Sequence, residues 1–493
     1  MKLISSLICL LAATQVSANL ATDYMQGRKV WERKTEIVRK GLVEEPVIEG
    51  TYDQTINHFA SKPTDATFKQ RFFINANHYK PGGPLIFLPG GEGDLRKTDV
   101  LRGLPYDMTV KHNALLVTLE HRFYGESSPS TDPKDLWLLS VDQAIEDFHK
   151  FTSTYEFKAG TDTIKGGKWI AFGGSYSGNV AAWLRLKYPN TYWAAHASSA
   201  PVWAKEMFYE YDQAVEDAIP QIGGSKACAE GLIKTHKYLD SILLSGNKKK
   251  ILDIKTKFGL ANVTDVRDFA SWVTTVLAAS VQYGPTYDFI GKQQTISAYC
   301  DDTVISSATA SPADRLDYLA KLVKQYDEEQ EITIEYISTK TKAEIPRDSW
   351  MWQVCTEFGY LQIARPGSHH LYSSLIDANY FQHQCRVGFP KVIDGNTGRQ
   401  VKHIRPDTDA INKKYLSTRI TKAVSRVLFA DGTVDPWARL GVYKQKSSRR
   451  NEIVTHFGHH CDEFSSRNAS LPWRTELGAV WDKWIANAPP ALP

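Results

Sequence analysis

Residues 173–178, Gly-Gly-Ser-Tyr-Ser-Gly, set Ser175 among glycines between a short apolar run, 168–172, and a helix-like segment, 179–188, stopped by Pro189. A serine on a sharp strand-to-helix turn reads as a nucleophile elbow: small neighbours permit the turn, and the hydroxyl projects above the sheet edge. The helix N-terminus behind it favours developing negative charge. The usual pattern is G-x-S-x-G; here Ser177 stands where the last glycine is expected, with Gly178 one place later. The alternative is a Gly/Ser-rich loop without chemistry.

A serine hydroxyl needs a base to take its proton and an acid to orient that base. Asp435 follows the apolar run 426–430, and His459 or His460 follows the run 451–456. The order Ser, Asp, His at strand ends is that of the α/β-hydrolase arrangement. Asp431 and Asp435 could also be plain turn formers, since Asp-Gly and Asp-Pro both mark turns. A metal cluster of His456, His459, His460 and Asp462 is disfavoured, because no HExxH helix or paired CxxC accompanies it. The oxyanion would be met by backbone N–H groups of Tyr176 and of the Gly90-Gly91-Glu92-Gly93 loop, with Gly91 as the second donor. No Gly-Lys-Ser/Thr follows that loop to make it a phosphate cradle.

These residues must be held by a sheet. Runs 84–89, 113–120, 168–172 and 193–199 read as buried strands, and 141–149 has helical spacing. From about 205 to 410 the periodicity turns helical, as in 208–218, 265–282 and 312–329; strand signals then resume, and 475–486 reads as a final amphipathic helix. The expected fold is α/β, an α/β-hydrolase core with a mostly parallel sheet and a helical cap inserted between nucleophile and acid. The expected divisions are a signal peptide at 1–18, core at 19–204, cap at 205–410 and core again at 411–493.

The 493 residues exceed one ordinary core, and 13 Trp, 23 Tyr and 20 Phe supply pocket material. A net charge of +4 and a densest basic run of Lys248-Lys249-Lys250 give no nucleic-acid signature. Lys2, an apolar stretch to Ala13 and small residues at 16–18 read as a secretory leader; no later run is long enough to span a membrane. The expected location is therefore secreted, lysosomal or vacuolar. Cys9 would leave with the leader, and Cys228, Cys300, Cys355, Cys385 and Cys461 remain, an odd number. Asn262 and Asn468 are glycosylation acceptors.

Taken together, several segments resemble the prolyl-carboxypeptidase-like serine peptidases. They are 68–73, 90–93, 120–127, 173–176, 197–203, 353–359, 431–437 and 459–462, spread through most of the chain. The resemblance implies Ser175, Asp435 and His459 as nucleophile, acid and base, His459 being chosen over His460 by a His-x-x-Asp pattern ending at Asp462. It implies exopeptidase action on short peptides, often at proline bonds, with a pocket walled by Trp437. Asn179 stands where some relatives carry an apolar pocket residue. It also implies disulfides Cys228–Cys300 and Cys355–Cys385, leaving Cys461 unpaired, and no cofactor. Glu120, His121 and Arg122 are expected to support the core. The expected partners are peptide substrates, with a homodimer left open. An ester or lipid hydrolase on the same fold and a binding protein with a decayed site are the competing readings.

Overall fold

The computed structural model describes residues 45–62, 65–284, 295–330, 332, 334–339, 348–389, 393–394, 399–400, 404–443, 448, 450–466 and 470–488. The expected leader and Asn468 lie outside them. Among the described residues, 45–206, 349–360 and 393–488 form one compact unit, and 207–348 with 361–389 form another.

The first unit is built on an eight-stranded sheet. Its strands are β1 (Ile48–Thr55), β2 (Thr67–Asn75), β3 (Leu85–Pro89), β4 (Leu115–Leu119), β5 (Trp169–Gly174), β6 (Tyr192–Ser198), β7 (Val427–Gly432) and β8 (Glu452–His456). They lie in the order β1-β2-β4-β3-β5-β6-β7-β8. β2 runs antiparallel to β1 and β4, and the neighbours from β4 through β8 are parallel. This order is that of an α/β-hydrolase.

Burial explains the sequence pattern. Every residue of β3, β4, β5 and β7 is buried, so these strands read as unbroken apolar runs rather than alternating ones. The edge strand β1 exposes alternate residues. Along β3, Ile86 and Leu88 join Leu104, Met108, Phe172, Trp481 and Trp484 in one core layer. Phe87 points to the other face, where it packs among Phe148, Phe151, Trp169 and Tyr192. The helices of these layers are α1 (Gly103–His112), α2 (Val141–Thr154), α3 (Tyr176–Lys187) and the C-terminal Pro472–Ala486. Ser140 Oγ accepts from the Gln143 N–H and starts α2.

The second unit is helical and lies in the chain between Ser175 and Asp435. Its longer helices include Lys226–Leu243, Val266–Tyr283 and Pro312–Gln330. Asp212 accepts from the backbone N–H groups of Leu371 and Tyr372, and Asp240 from Ser374, which ties 361–389 into this unit. Cys228 and Cys300 are joined across a separation of 72 residues. Closing so long a loop removes about 4 kcal/mol of unfolded-chain entropy. Cys355 and Cys385 are likewise disulfide-bonded, and Cys461 takes part in no disulfide.

The continuous insertion expected at 205–410 is corrected. Ser349–Tyr360 and the described residues beyond 392 group with the sheet. Glu357 accepts from the Val141 N–H at 3.1 and 3.2 Å, and Gln353 donates to the Tyr176 hydroxyl at 3.1 Å, so this segment belongs to the sheet unit despite its helical periodicity. Asn262 is exposed. Among the described residues, no helix is long and apolar enough to cross a membrane.

Candidate active site

From Trp169 to Arg185 every residue is buried except Ser175, which is partly exposed. Ser175 has φ 56° and ψ −131°, a conformation that a side chain rarely adopts. Its N–H is held by the Ser198 carbonyl at 2.9 Å, and its own carbonyl accepts from Gly178 and Asn179 as α3 begins. The hydroxyl makes no capping bond to α3.

Sterics force this turn. A Cβ on Gly173 would sit 2.0 Å from the Ser177 carbonyl oxygen, and one on Gly178 would sit 2.9 Å from the Ser198 oxygen. Neither position tolerates a side chain. Ser177 has room for one: its Oγ accepts from the Gly174 N–H at 3.0 Å and donates to the Gly174 carbonyl at 2.9 Å. The departure from G-x-S-x-G thus adds two hydrogen bonds across the elbow, while Gly178 meets the close approach to β6.

Tyr176 opens α3, so its N–H lies in the first turn, where no carbonyl of the helix can reach it. Its side chain is fixed by a buried network. His121 Nδ1 faces the Arg122 carbonyl at 2.8 Å, so that nitrogen carries the proton. His121 Nε2 then accepts from the Tyr176 hydroxyl at 2.9 Å. Gln353 Nε2 donates to the same hydroxyl, and Gln353 Oε1 accepts from Tyr124 at 2.6 Å. Burial lowers His121 to about 4, which keeps it neutral. Arg122 makes a two-point ion pair with Asp147 at 2.6 Å and donates to the Thr55, Ile56 and Leu138 carbonyls.

The glycine loop after β3 lies against the elbow. A Cβ on Gly91 would be 3.6 Å from Ser177 Cβ. Gly90 donates to the Leu119 carbonyl, and a Cβ there would be 2.6 Å from that oxygen. Glu120 anchors the far end of the loop by accepting from the Leu95 N–H at 2.8 Å and from Arg71 at 2.6 Å.

Asp435 follows β7 and has both carboxylate oxygens engaged. Oδ1 accepts from the Trp437 N–H at 2.9 Å, and Oδ2 faces His460 Nδ1 at 2.9 Å. The imidazole paired with the acid is therefore that of His460, which corrects the choice of His459. Asp462 receives the His459 backbone N–H at 2.8 Å; it fixes the bend of the loop, and the bend turns the next residue toward Asp435. A His-x-x-Asp spacing thus reports a loop bond, from which the identity of the base does not follow.

The carboxylate only accepts, so Nδ1 of His460 carries the proton and Nε2 is the basic nitrogen. Burial pulls His460 down, but the facing Asp435 carboxylate outweighs it and holds the ring well above its ordinary range. The loop reaches the elbow through its next residue. Cys461 donates its N–H to Ser199 Oγ at 2.9 Å, and a Cβ on Gly174 would meet its sulfur at 2.9 Å. The neighbours of Ser175 and His460 thus abut. Burial raises the Cys461 thiol, which stays protonated beside the imidazole. Behind the pair, burial pushes Glu463 up to about 7, and it accepts from Ser198 Oγ.

One side of the site is aromatic. Tyr360 stacks on Phe358, with centroids 5.2 Å apart, and meets Trp437 edge-on at 5.4 Å; Trp437 in turn lies 6.2 Å from the His460 ring. Tyr176 and Trp350 pack against Phe358. Asn179 is buried beside this group, donating from Nδ2 to the Pro201 carbonyl and the Tyr360 hydroxyl. The roles of Gln353, Tyr360 and Ser177 escaped the sequence reading. Gln353 lay within a recognised segment, but nothing in its spacing links it to Tyr176. Among the described residues, no group of three or more His, Cys, Asp or Glu could hold a metal ion.

The chain is similar to several known serine peptidases. The chain is 30% identical over 466 residues to "Putative serine protease K12H4.7" of Caenorhabditis elegans, covering 89% of this chain and 88% of that one. It is 27% identical to thymus-specific serine protease of Homo sapiens, over 84% and 81% of the two chains. It is 25% identical to lysosomal Pro-X carboxypeptidase of Mus musculus, over 88% and 89%. A distant likeness to a proline iminopeptidase structure from Mycobacterium smegmatis has a TM-score of 0.38 at 11% identity, over 89% of this chain and 100% of that one. The model of one peptidase family matches residues 54–474. The chain belongs to that family, serine carboxypeptidase S28, and is a serine-type peptidase.

Proposed function

We propose that the protein is an exopeptidase acting on short peptides, often at proline bonds, with Ser175 as nucleophile, His460 as base and Asp435 as the orienting acid. The observation that carries this reading is the buried Asp435–His460 pair at 2.9 Å, on a loop that abuts an elbow whose sole exposed residue is Ser175. Ser175 Oγ attacks the scissile carbonyl carbon while His460 Nε2 takes its proton. The N–H groups of Tyr176 and Gly91 steady the oxyanion. His460 then returns the proton to the leaving amine, and water, activated by the same imidazole, releases the acyl group.

The aromatic wall of Trp437, Tyr360 and Phe358 supports a flat, rigid ring at the acyl side, as proline presents. The carboxypeptidase and Pro-X names of relatives favour the exopeptidase mode. The disulfides and these relatives favour a secreted or lysosomal location. Ser175→Ala tests the assignment. Turnover of proline-containing peptides should fall by about 10⁴-fold or more, and undiminished hydrolysis would sink it. Digestion of one such peptide with each end blocked in turn identifies the end that is trimmed; cleavage with both ends blocked would refute exopeptidase action.

A further inference from the structure

The Tyr176 N–H follows a strained residue. Ser175 holds φ 56° and ψ −131°, and such backbone persists only where its surroundings over-determine it. The hold on Tyr176 comes through its side chain, and the protons of the buried network around it can be arranged in one way. The Arg122 carbonyl only accepts, so His121 Nδ1 carries the proton and Nε2 must accept. The Tyr176 hydroxyl gives its one proton to that nitrogen, so toward Gln353 it can only accept. This fixes the Gln353 amide, with Nε2 toward Tyr176 and Oε1 toward Tyr124, whose hydroxyl donates at 2.6 Å. The same amide bonds Glu357. His121, Tyr124, Tyr176 and Gln353 are all fully buried, so no solvent competes for these bonds.

We propose that Gln353 is a positioning residue for the reaction: by fixing the Tyr176 hydroxyl from 177 residues further along the chain, it keeps the Tyr176 N–H aimed at the oxyanion. This rests on Ser175 being the nucleophile and on the Tyr176 N–H being an oxyanion donor. The tyrosine ring is a rigid lever between its hydroxyl and its Cα. Once the amide is lost, the hydroxyl end is held by His121 alone, and relaxation at Ser175 turns the peptide between Ser175 and Tyr176. No neighbour in the network replaces the lost donor: His121 Nε2 only accepts, and the Tyr124 proton is directed at position 353 itself. The N–H matters most when the carbonyl oxygen becomes an oxyanion, so the loss falls on kcat rather than on KM.

The test uses Gln353→Leu, Tyr176→Phe and Gln353→Glu, with active enzyme counted by fluorophosphonate labelling carried to completion. On a proline-containing peptide, the first two should lower kcat by about 10- to 100-fold with KM unchanged. An ester and its thionoester are then compared. Sulfur accepts hydrogen bonds weakly, so a misaimed N–H should slow the ester more, and the ester-to-thionoester ratio should fall by about tenfold. A merely structural role would leave that ratio unmoved. Gln353→Glu keeps the shape and serves if Gln353→Leu does not fold. Protonated, its carboxyl donates to Tyr176 and accepts from Tyr124 as the amide does; ionised, it only accepts and draws the Tyr176 proton away from His121. Above the pH near 4 at which His121 itself takes a proton, the activity of this variant relative to wild type should fall as pH rises. The titratable groups around position 353 are Glu92, His121, Tyr124, Tyr176 and Glu357. Glu357, at about 8, and His460 titrate in both enzymes, so the relative activity isolates the new carboxyl. An unmoved ester-to-thionoester ratio in Tyr176→Phe, or a flat relative profile in Gln353→Glu, would overturn the proposal. Activity retained in Ser175→Ala would instead remove the reading on which it rests.

Discussion

The elbow after β5 and the histidine loop after β8 meet at Gly174 and Cys461, yet they are held by different forces. The elbow is fixed by sterics within its own turn and against the adjoining strand β6. Gly173 and Gly178 lie where any side chain would strike backbone, and Ser177 bridges Gly174 within the same turn. The histidine loop is fixed by distant polar partners: Ser199 for the Cys461 N–H, Asp435 for His460 and Arg474 for the Glu463 carbonyl. The nucleophile is thus placed by its own turn and the adjoining strand β6, and the base by three other segments of the fold. A catalytic group placed locally tolerates changes elsewhere; one placed by tertiary contacts responds to each of them.

The sharpest way to break this comparison is to exchange the roles of the two neighbouring histidines. His460→Ala should cost about 10³- to 10⁴-fold in kcat/KM, whereas His459→Ala, which keeps the backbone bond to Asp462 that bends the loop, should stay within about tenfold. Equal losses, or a larger loss at His459, would return the base to that position.

A smaller but more diagnostic effect is expected from Asp435→Asn. The active base is the neutral imidazole, so kcat/KM in the wild type should rise with pH through an inflection above 6.5, the facing carboxylate having raised His460 despite burial. Removing the negative charge takes away the largest influence that raises the ring and leaves burial opposed by Cys461. The inflection should then move down, and the plateau should drop by about 10⁴-fold. An unmoved inflection would show that another group controls the profile, with Cys461, Asp431 and Glu463 the titratable neighbours to test.

The mildest effect belongs to the elbow itself. Ser177→Ala removes two hydrogen bonds within one turn and should lower stability by about 1–2 kcal/mol in a denaturant melt. Gly178 still permits the turn, so Ser175 should remain open to fluorophosphonate labelling. Abolished labelling at unchanged stability would mean that Ser177 serves the reaction and not the turn.

Much of this was legible in the chain. The central strands appear as apolar runs because parallel strands are buried on both faces, and the helices at 141–154, 266–283 and 312–330 keep their apolar spacing. Ser175 and Asp435 stand out as candidates by type, order and strand-end position. Other features were hidden because their partners lie far away in sequence. Gln353 reads as part of a helical stretch, and only its bond to Tyr176 assigns it to the sheet unit. Asn179 reads as a departure from an apolar pocket, and only Pro201 and Tyr360 reveal which way its carbonyl is turned.

By itself, then, the sequence determined the α/β layering, the elbow and the order of the proposed triad residues, because these follow from burial periodicity and from the small residues that a tight turn requires. The tertiary structure alone decided which of two adjacent histidines meets Asp435. Adjacent residues share composition and spacing, and they differ in the direction that a loop, bent by an Asp462 bond and anchored on Ser199, turns each side chain.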